Sequence, residues 1–349
     1  MKLPFDDKTV FSRLLPAAAG VLAGTVLGFF LHSLITGTPA HQPLELRQTG
    51  WQYINPLLDC EQAADTIENR ELTPFKQKVK HFIDVDLNKK WADRISVYFR
   101  ELNDGPWFTI GETDRFHPAS LLKVPLMIAV LKEAEANPTF LKKKIRYSNR
   151  DVETVQNVSS ERLALGSSYT VEELLNRMIR HSDNVPTYLL DNTVDLAVLE
   201  QTYHDLGLTT PYYRMDKPSM VLASSDYMIS AETYAAFLRI LFNASYLSKQ
   251  MSNKALEILS ESDFQDGLVR GVPAGVKVAH KWGYHETGPH DEIKQLHDCG
   301  IVYYPGHPYL LCVMTSGSSY EYLDDAIREI SRTVYTEIDK QNRPTATHE

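Results

Sequence analysis

Phe116-His117-Pro118-Ala119-Ser120-Leu121-Leu122-Lys123-Val124-Pro125 is the stretch on which the reading of this chain turns. It sets Ser-x-x-Lys at the opening of a predicted helix, Ala119 to Ala136. Side chains three apart on a helix share a face, so the Lys123 amine can approach the Ser120 hydroxyl. A serine hydroxyl is a weak nucleophile until a neighbour takes its proton, and a lysine does so when burial or nearby cations lower its pKa. Free N–H groups at a helix amino terminus can also stabilise an oxyanion. Taken alone the pattern is common, and a capped surface helix would explain it.

Two more short motifs lie downstream. Ser182-Asp183-Asn184 separates two helical patterns, Val171 to His181 and Val185 to Asn192. A hydroxyl there can relay a proton to a leaving nitrogen, and an amide side chain can hold a substrate carbonyl or a lysine. A plain helix-capping turn would use the same residues. His280-Lys281-Trp282-Gly283 ends a predicted strand, Val276 to Trp282. A cation there can attract a carboxylate, and Gly283 lets an extended substrate lie against the strand edge. By itself, Lys followed by Gly at a strand end is an ordinary turn.

The elements around these motifs predict an α+β fold. Phe75, Val79, Phe82, Ile83 and Leu87 recur at helical spacing within Leu72 to Trp91. The runs Ile95 to Leu102 and Trp107 to Gly111 flank Asn103-Asp104-Gly105 as a hairpin. Helical patterns follow, ending with Leu196 to Leu206 and with Ala231 to Phe242 behind Ser230. Strands return at Gly300 to Tyr304 and Tyr309 to Thr315, before a closing helix, Tyr322 to Lys340. Strands from both ends of the chain then form one antiparallel sheet flanked by helices, with an all-helical lobe inserted at about 119–270 and a cleft at the junction.

In this order and at these separations, the three motifs resemble the active-site set of class A β-lactamases and the related penicillin-binding peptidases. The resemblance spans roughly residues 72–340. It implies that Ser120 is the acylated nucleophile, Lys123 its proton acceptor and Ser182 the proton relay. Asn184 would contact substrate and lysine, and Lys281 would attract the substrate carboxylate. Trp282, Gly283 and Tyr284 would line the substrate, with the N–H groups of Ser120 and Tyr284 as oxyanion hole. No cofactor is implied. Two positions depart from the family. Its Glu-x-x-Leu-Asn signature, which activates the deacylating water, is absent, and between Thr209 and Ser219 the only carboxylate is Asp216, which either substitutes for it or pairs with Arg214 or Lys217. Trp282 stands where the family carries Thr or Ser, so a hydroxyl donor is lost. Both changes point away from efficient antibiotic hydrolysis. The expectation is a serine hydrolase or acyltransferase acting on a peptidoglycan-type peptide or a β-lactam. A true β-lactamase, and an inactive cell-wall peptide-binding module, are the alternatives.

From Leu14 to Leu44 no Asp, Glu, Lys or Arg occurs, and Leu14 to Ile35 is apolar enough to span a bilayer as helix. Lys2, Lys8 and Arg13 precede it, while the next basic residue is Arg47. The positive-inside rule then predicts a cytoplasmic segment 1–13, a transmembrane anchor 14–37, a linker and edge segment 38–70 and an extracytoplasmic catalytic domain 71–349. The rival is a cleaved signal peptide ending near Thr38-Pro39-Ala40.

Composition excludes other classes. The 36 basic and 45 acidic side chains among 349 residues leave a net charge of −9 with no basic block, which argues against nucleic acid as partner. Three cysteines, Cys60, Cys299 and Cys312, are too few for a disulfide scaffold and lack zinc-site spacing. The segment His285 to Asp298 gathers His285, His290 and His297 with acidic neighbours, yet reads as a polar loop beside the cleft rather than a metal site. Cys299 and Cys312 face each other across the terminal hairpin, where tight cross-strand geometry weighs against a disulfide. Nothing in the sequence sets the oligomeric state.

Overall fold

A computed structural model describes residues 45–60, 73–87, 91–103, 105–148, 162–208 and 227–343. The predicted anchor 14–37 and the loop bearing Asp216 lie outside the described residues.

The core is a five-stranded antiparallel sheet. Its strands are β3 (Arg94–Glu101), β4 (Trp107–Ile110), β7 (Val278–Thr287), β8 (Ile293–Val302) and β9 (Tyr309–Gly317), in the order β4-β3-β9-β8-β7. β9 is buried along its whole length, because both of its faces are covered. On one face lies α8 (Tyr320–Asn342), with Leu323, Ile327, Ile330, Val334 and Ile338 buried at helical spacing. Beside it, Phe75 of α1 (Thr73–His81) packs edge-on against Phe99 and Phe108. The other face carries a second apolar cluster, which joins Ala279, Ile301, Leu310 and Met314 of the sheet to the helices between β4 and β7.

Those helices are α2 (Lys123–Ala136), α3 (Val171–Arg180), α4 (Asn184–Asp191), α5 (Leu196–Asp205), α6 (Ala231–Phe242) and α7 (Lys249–Ser260). α2 is buried without a break from Lys123 to Leu131 and so forms the axis of the helical region. Pro125 falls in its first turn, where the missing N–H removes no helical bond. Side chains begin the other helices: Thr170 and Glu173 form a capping box, and Asp183, Asp195, Ser230 and Ser248 each accept from the first turn that follows.

Four expectations change. The predicted loop His285 to Asp298 is mostly strand, since β7 runs on to Thr287 and β8 begins at Ile293. The helix Lys249–Ser260 was not read from the sequence, nor was the small antiparallel pair β5 (Lys144–Arg146) and β6 (Ser168–Thr170). The linker is in part structured. Glu45–Arg47 and Leu57–Cys60 pair as β1 and β2, and Tyr53 and Ile54 between them are buried, with Tyr303 Oη donating to Tyr53 O at 2.9 Å. Finally, Cys299 and Cys312 are joined as a disulfide across β8 and β9, their Cα atoms 3.9 Å apart. Antiparallel register sets them directly opposite each other, which brings the two sulfurs together.

Candidate active site

Ser120 lies in a 3-10 turn, Ala119–Leu122, that leads straight into α2. The turn is closed by Leu121 N–H donating to Pro118 O at 3.0 Å. Ala119 sits at φ 48°, a left-handed conformation that is uncommon for a residue with a Cβ and that clusters at functional sites. It is held there by its N–H, which donates to His117 Nδ1 at 3.1 Å. The edge strand β7 meets this turn at Gly283. A Cβ on Gly283 would stand 3.0 Å from the Ser120 nitrogen, 3.2 Å from the Leu121 nitrogen and 3.3 Å from Pro118 O. Any larger residue would force one of the two backbones to give by a few tenths of an ångström.

Lys123 follows on the first turn of α2, fully buried, while Ser120 is half-buried. The Lys123 amine donates to Ser182 O at 2.6 Å and Asn184 Oδ1 at 2.7 Å, and lies 3.1 Å from Ser182 Oγ. Lys281 Nζ reaches the same hydroxyl from β7, at 3.0 Å, and donates to Trp282 O at 2.8 Å. Three residues remote in sequence thus meet at one oxygen. Ser182 is held at φ 54°, a second left-handed non-glycine position. The adjoining Asp183 anchors it by accepting from Val185 N–H at 3.0 Å as α4 begins.

Both amines are far less basic than a solvated lysine. Burial drives the Lys123 pKa well below its ordinary value, the Lys281 ammonium pushes it further down, and the Asp183 carboxylate opposes. Burial likewise brings Lys281 to about 7, against the pull of Asp298. Ser182 O and Asn184 Oδ1 can only accept, so a neutral Lys123 spends both N–H bonds on them and keeps its lone pair for a hydroxyl proton. This is the state a general base needs.

The sequence from 74 to 338 matches the model of a protein family described as the beta-lactamase enzyme family. The chain belongs to that family. A beta-lactamase from Bacillus amyloliquefaciens is 26% identical over 258 residues, covering 72% of this chain and 80% of the relative. Among solved structures, a beta-lactamase from Chitinophaga pinensis superposes with a TM-score of 0.66 at 24% identity, covering 76% of this chain and 99% of its own. The protein called PBP-A does so with 0.65 at 22% identity, covering 78% and 98%. The chain is a class A beta-lactamase-like serine hydrolase acting on amide bonds. The inactive binding module that the sequence left open is set aside.

Trp282 stands where the beta-lactamase pattern resembled by the sequence carries Thr or Ser. Its ring is 8% exposed, stacks on Phe264 at 4.5 Å and on Tyr284 at 5.9 Å, and joins the core on the α8 side. The Lys281 ammonium lies 5.1 Å from the ring centroid. The indole N–H is buried without a hydrogen-bond partner. Tyr284 is half-buried beside Gly283 and meets Tyr320 edge-on. Asp216 lies outside the described residues.

Sequence reasoning missed the two left-handed residues and the part played by His117. A histidine followed by proline just before Ser-x-x-Lys was the available signal. The cluster His285 to Asp298 divides. His285 stacks on His117, His297 and Asp298 are buried, and His290 and Asp291 lie exposed in the hairpin turn. Among the described residues, no three His, Cys, Asp or Glu side chains converge as a metal site.

Proposed function

We propose that this protein is a membrane-anchored, extracytoplasmic serine hydrolase whose Ser120 is acylated by a peptidoglycan-type peptide or by a β-lactam. The observation that carries the reading is the convergence of the Lys123 and Lys281 amines on Ser182 Oγ, at 3.1 and 3.0 Å. In the acylation step, Ser120 Oγ bonds to the amide carbon while its proton passes to Lys123. The oxyanion rests against the N–H groups of Ser120 and Tyr284. The C–N bond then breaks as Ser182 delivers a proton to the leaving nitrogen and is reprotonated from Lys123. Lys281 would attract the substrate carboxylate.

Slow release of the acyl group follows from the absent Glu-x-x-Leu-Asn signature. PBP-A, which shares the fold, is described in a mutant form as an acyl-enzyme complex with penicillin G, so this architecture can hold such an adduct. The uncharged run 14–37, with its basic residues on the amino-terminal side, supports an anchored catalytic part outside the cell. The Cys299–Cys312 disulfide fits an oxidising compartment. A true β-lactamase is the second reading, favoured by the 26% identical relative described as a beta-lactamase.

The test is intact mass of the full-length protein incubated with penicillin G, together with nitrocefin turnover. A stable adduct, lost in Ser120→Ala, supports the acyl-enzyme reading. Many rapid turnovers with no accumulating adduct would establish the β-lactamase instead. No adduct and no turnover would refute both.

A further inference from the structure

A line of hydrogen bonds runs from the middle of the sheet to the serine turn. Thr315 N–H, on β9, donates to His297 Nδ1 at 3.3 Å. Since Nδ1 accepts, the ring proton of a neutral His297 must lie on Nε2. That atom is 3.1 Å from His117 O, which can only accept, so both contacts are satisfied together by a single tautomer. His117 in turn receives the Ala119 N–H on its own Nδ1, one residue before Ser120. The His117 backbone N–H donates to Gln295 Oε1 at 3.1 Å, a second tie to β8. On the other side, the His117 ring stacks on His285 of β7, centroids 3.9 Å apart and planes 17° from parallel. The turn carrying Ser120 is thereby tied to three adjacent strands through the imidazoles of His117, His285 and His297.

We propose that His297 is a positioning residue, whose Nε2–H to His117 O bond, completed by the His117–His285 stack, fixes the Ser120 N–H against the edge strand. The proposal rests on the acyl-transfer reading above. Its physical basis is the left-handed Ala119. That conformation is uncommon for a residue with a Cβ and persists only where its surroundings over-determine it. His117 supplies the local restraint, and His297 keeps His117 in place. The titratable groups acting on His297 are His117 from the turn and His285 from β7, both of which disfavour a charge there. Burial is the larger influence and holds its pKa down to about 3, so the required neutral form prevails at physiological pH. His285 is lowered by burial, with Asp291 and Glu286 opposing.

The experiment uses the full-length protein. Histidine-selective 15N NMR at pH 7 reads the ring of His297 directly, and a neutral Nε2–H tautomer is expected. A protonated ring or an Nδ1–H tautomer overturns the proposal. Acylation by a fluorescent penicillin is then compared in the wild type, His297→Gln and His297→Phe. Gln can still donate to His117 O, whereas Phe retains ring volume without a donor. Phe should acylate about 100-fold more slowly through the first-order step, with the concentration for half-maximal rate unchanged, and Gln should recover to within about tenfold of wild type. Equal rates in all three, or equal losses in Gln and Phe with folding intact, would overturn it. Should Phe not fold, the tautomer and the Gln rate still decide. If the wild type forms no adduct, the acyl-transfer reading fails, while the NMR result alone shows whether the His297 bond exists.

Discussion

Gly283→Ala probes the contact on which the proposed oxyanion hole depends. Gly283 has no need of a left-handed backbone, so its replacement acts through space alone. The added Cβ would stand 3.0 Å from the Ser120 nitrogen, closer than nearly all real Cβ contacts. The turn or the strand must yield by a few tenths of an ångström, which approaches the tolerance of about 0.5 Å in a reactive constellation. Neither partner is soft. The turn is pinned by the bonds from Leu121 to Pro118 and from Ala119 to His117, and β7 is paired to β8 from Val278 to Thr287. Overpacking of this size costs about 1–3 kcal/mol of stability. Displacement of one oxyanion donor costs about 100-fold or more in rate. The assay is the acylation rate with penicillin G, read by quenched intact mass, alongside urea denaturation. A variant that acylates within threefold of wild type would refute the view that this close approach sets the reactive geometry.

Three other outcomes are expected. Ser182→Gly should equal or exceed Ser182→Ala in stability by up to about 1 kcal/mol, because φ 54° suits glycine, while both lose acylation by about 100-fold or more for want of the relay; denaturation midpoints and adduct rates check this. Lys281 has a folded pKa near 7 and an unfolded one near about 10.4, so between these values the unfolded chain holds a proton the folded chain has released. Stability therefore rises with pH across that window and the full cost of burying the ammonium is felt below it; the urea-derived stability of the wild type relative to Lys281→Met should climb by at most about 1.4 kcal/mol per pH unit between pH 7 and 9.5. The Cys299–Cys312 disulfide closes a short loop, with a sequence separation of 13, so Cys312→Ala should lower stability by about 3 kcal/mol, and wild-type mass should rise by about 2 Da on reduction.

Some features were hidden from the sequence for identifiable reasons. His285 to Asp298 lacks strand alternation because its buried positions other than Leu296 are polar: Gln295, His297 and Asp298 are satisfied by partners, Asp298 by His280 Nδ1 at 2.7 Å and Leu268 N–H at 3.0 Å, rather than by apolar neighbours. Helix α7 carries Lys249, Gln250, Ser252, Asn253 and Lys254 in its first half, with Met251 the one apolar residue among them, so its buried apolar residues, Ala255, Leu256, Ile258 and Leu259, gather at the end. The Ala231–Phe242 helix behind Ser230 was legible to the residue, since a hydroxyl cap and a continuous apolar pattern are both local signals.

What residue order alone determined was the family, the α+β class and the identity of Ser120, Lys123, Ser182, Asn184 and Lys281 as candidates, because three motifs are short, contiguous and correctly ordered. Their protonation states and strained backbones were decided only in three dimensions. A lysine loses its proton through the water it is denied and the second cation it faces, and both come from segments far away along the chain. A left-handed alanine needs a histidine and a sheet to hold it. Such restraints are sums over neighbours, and neighbours exist only once the sheet and helices have closed around the turn.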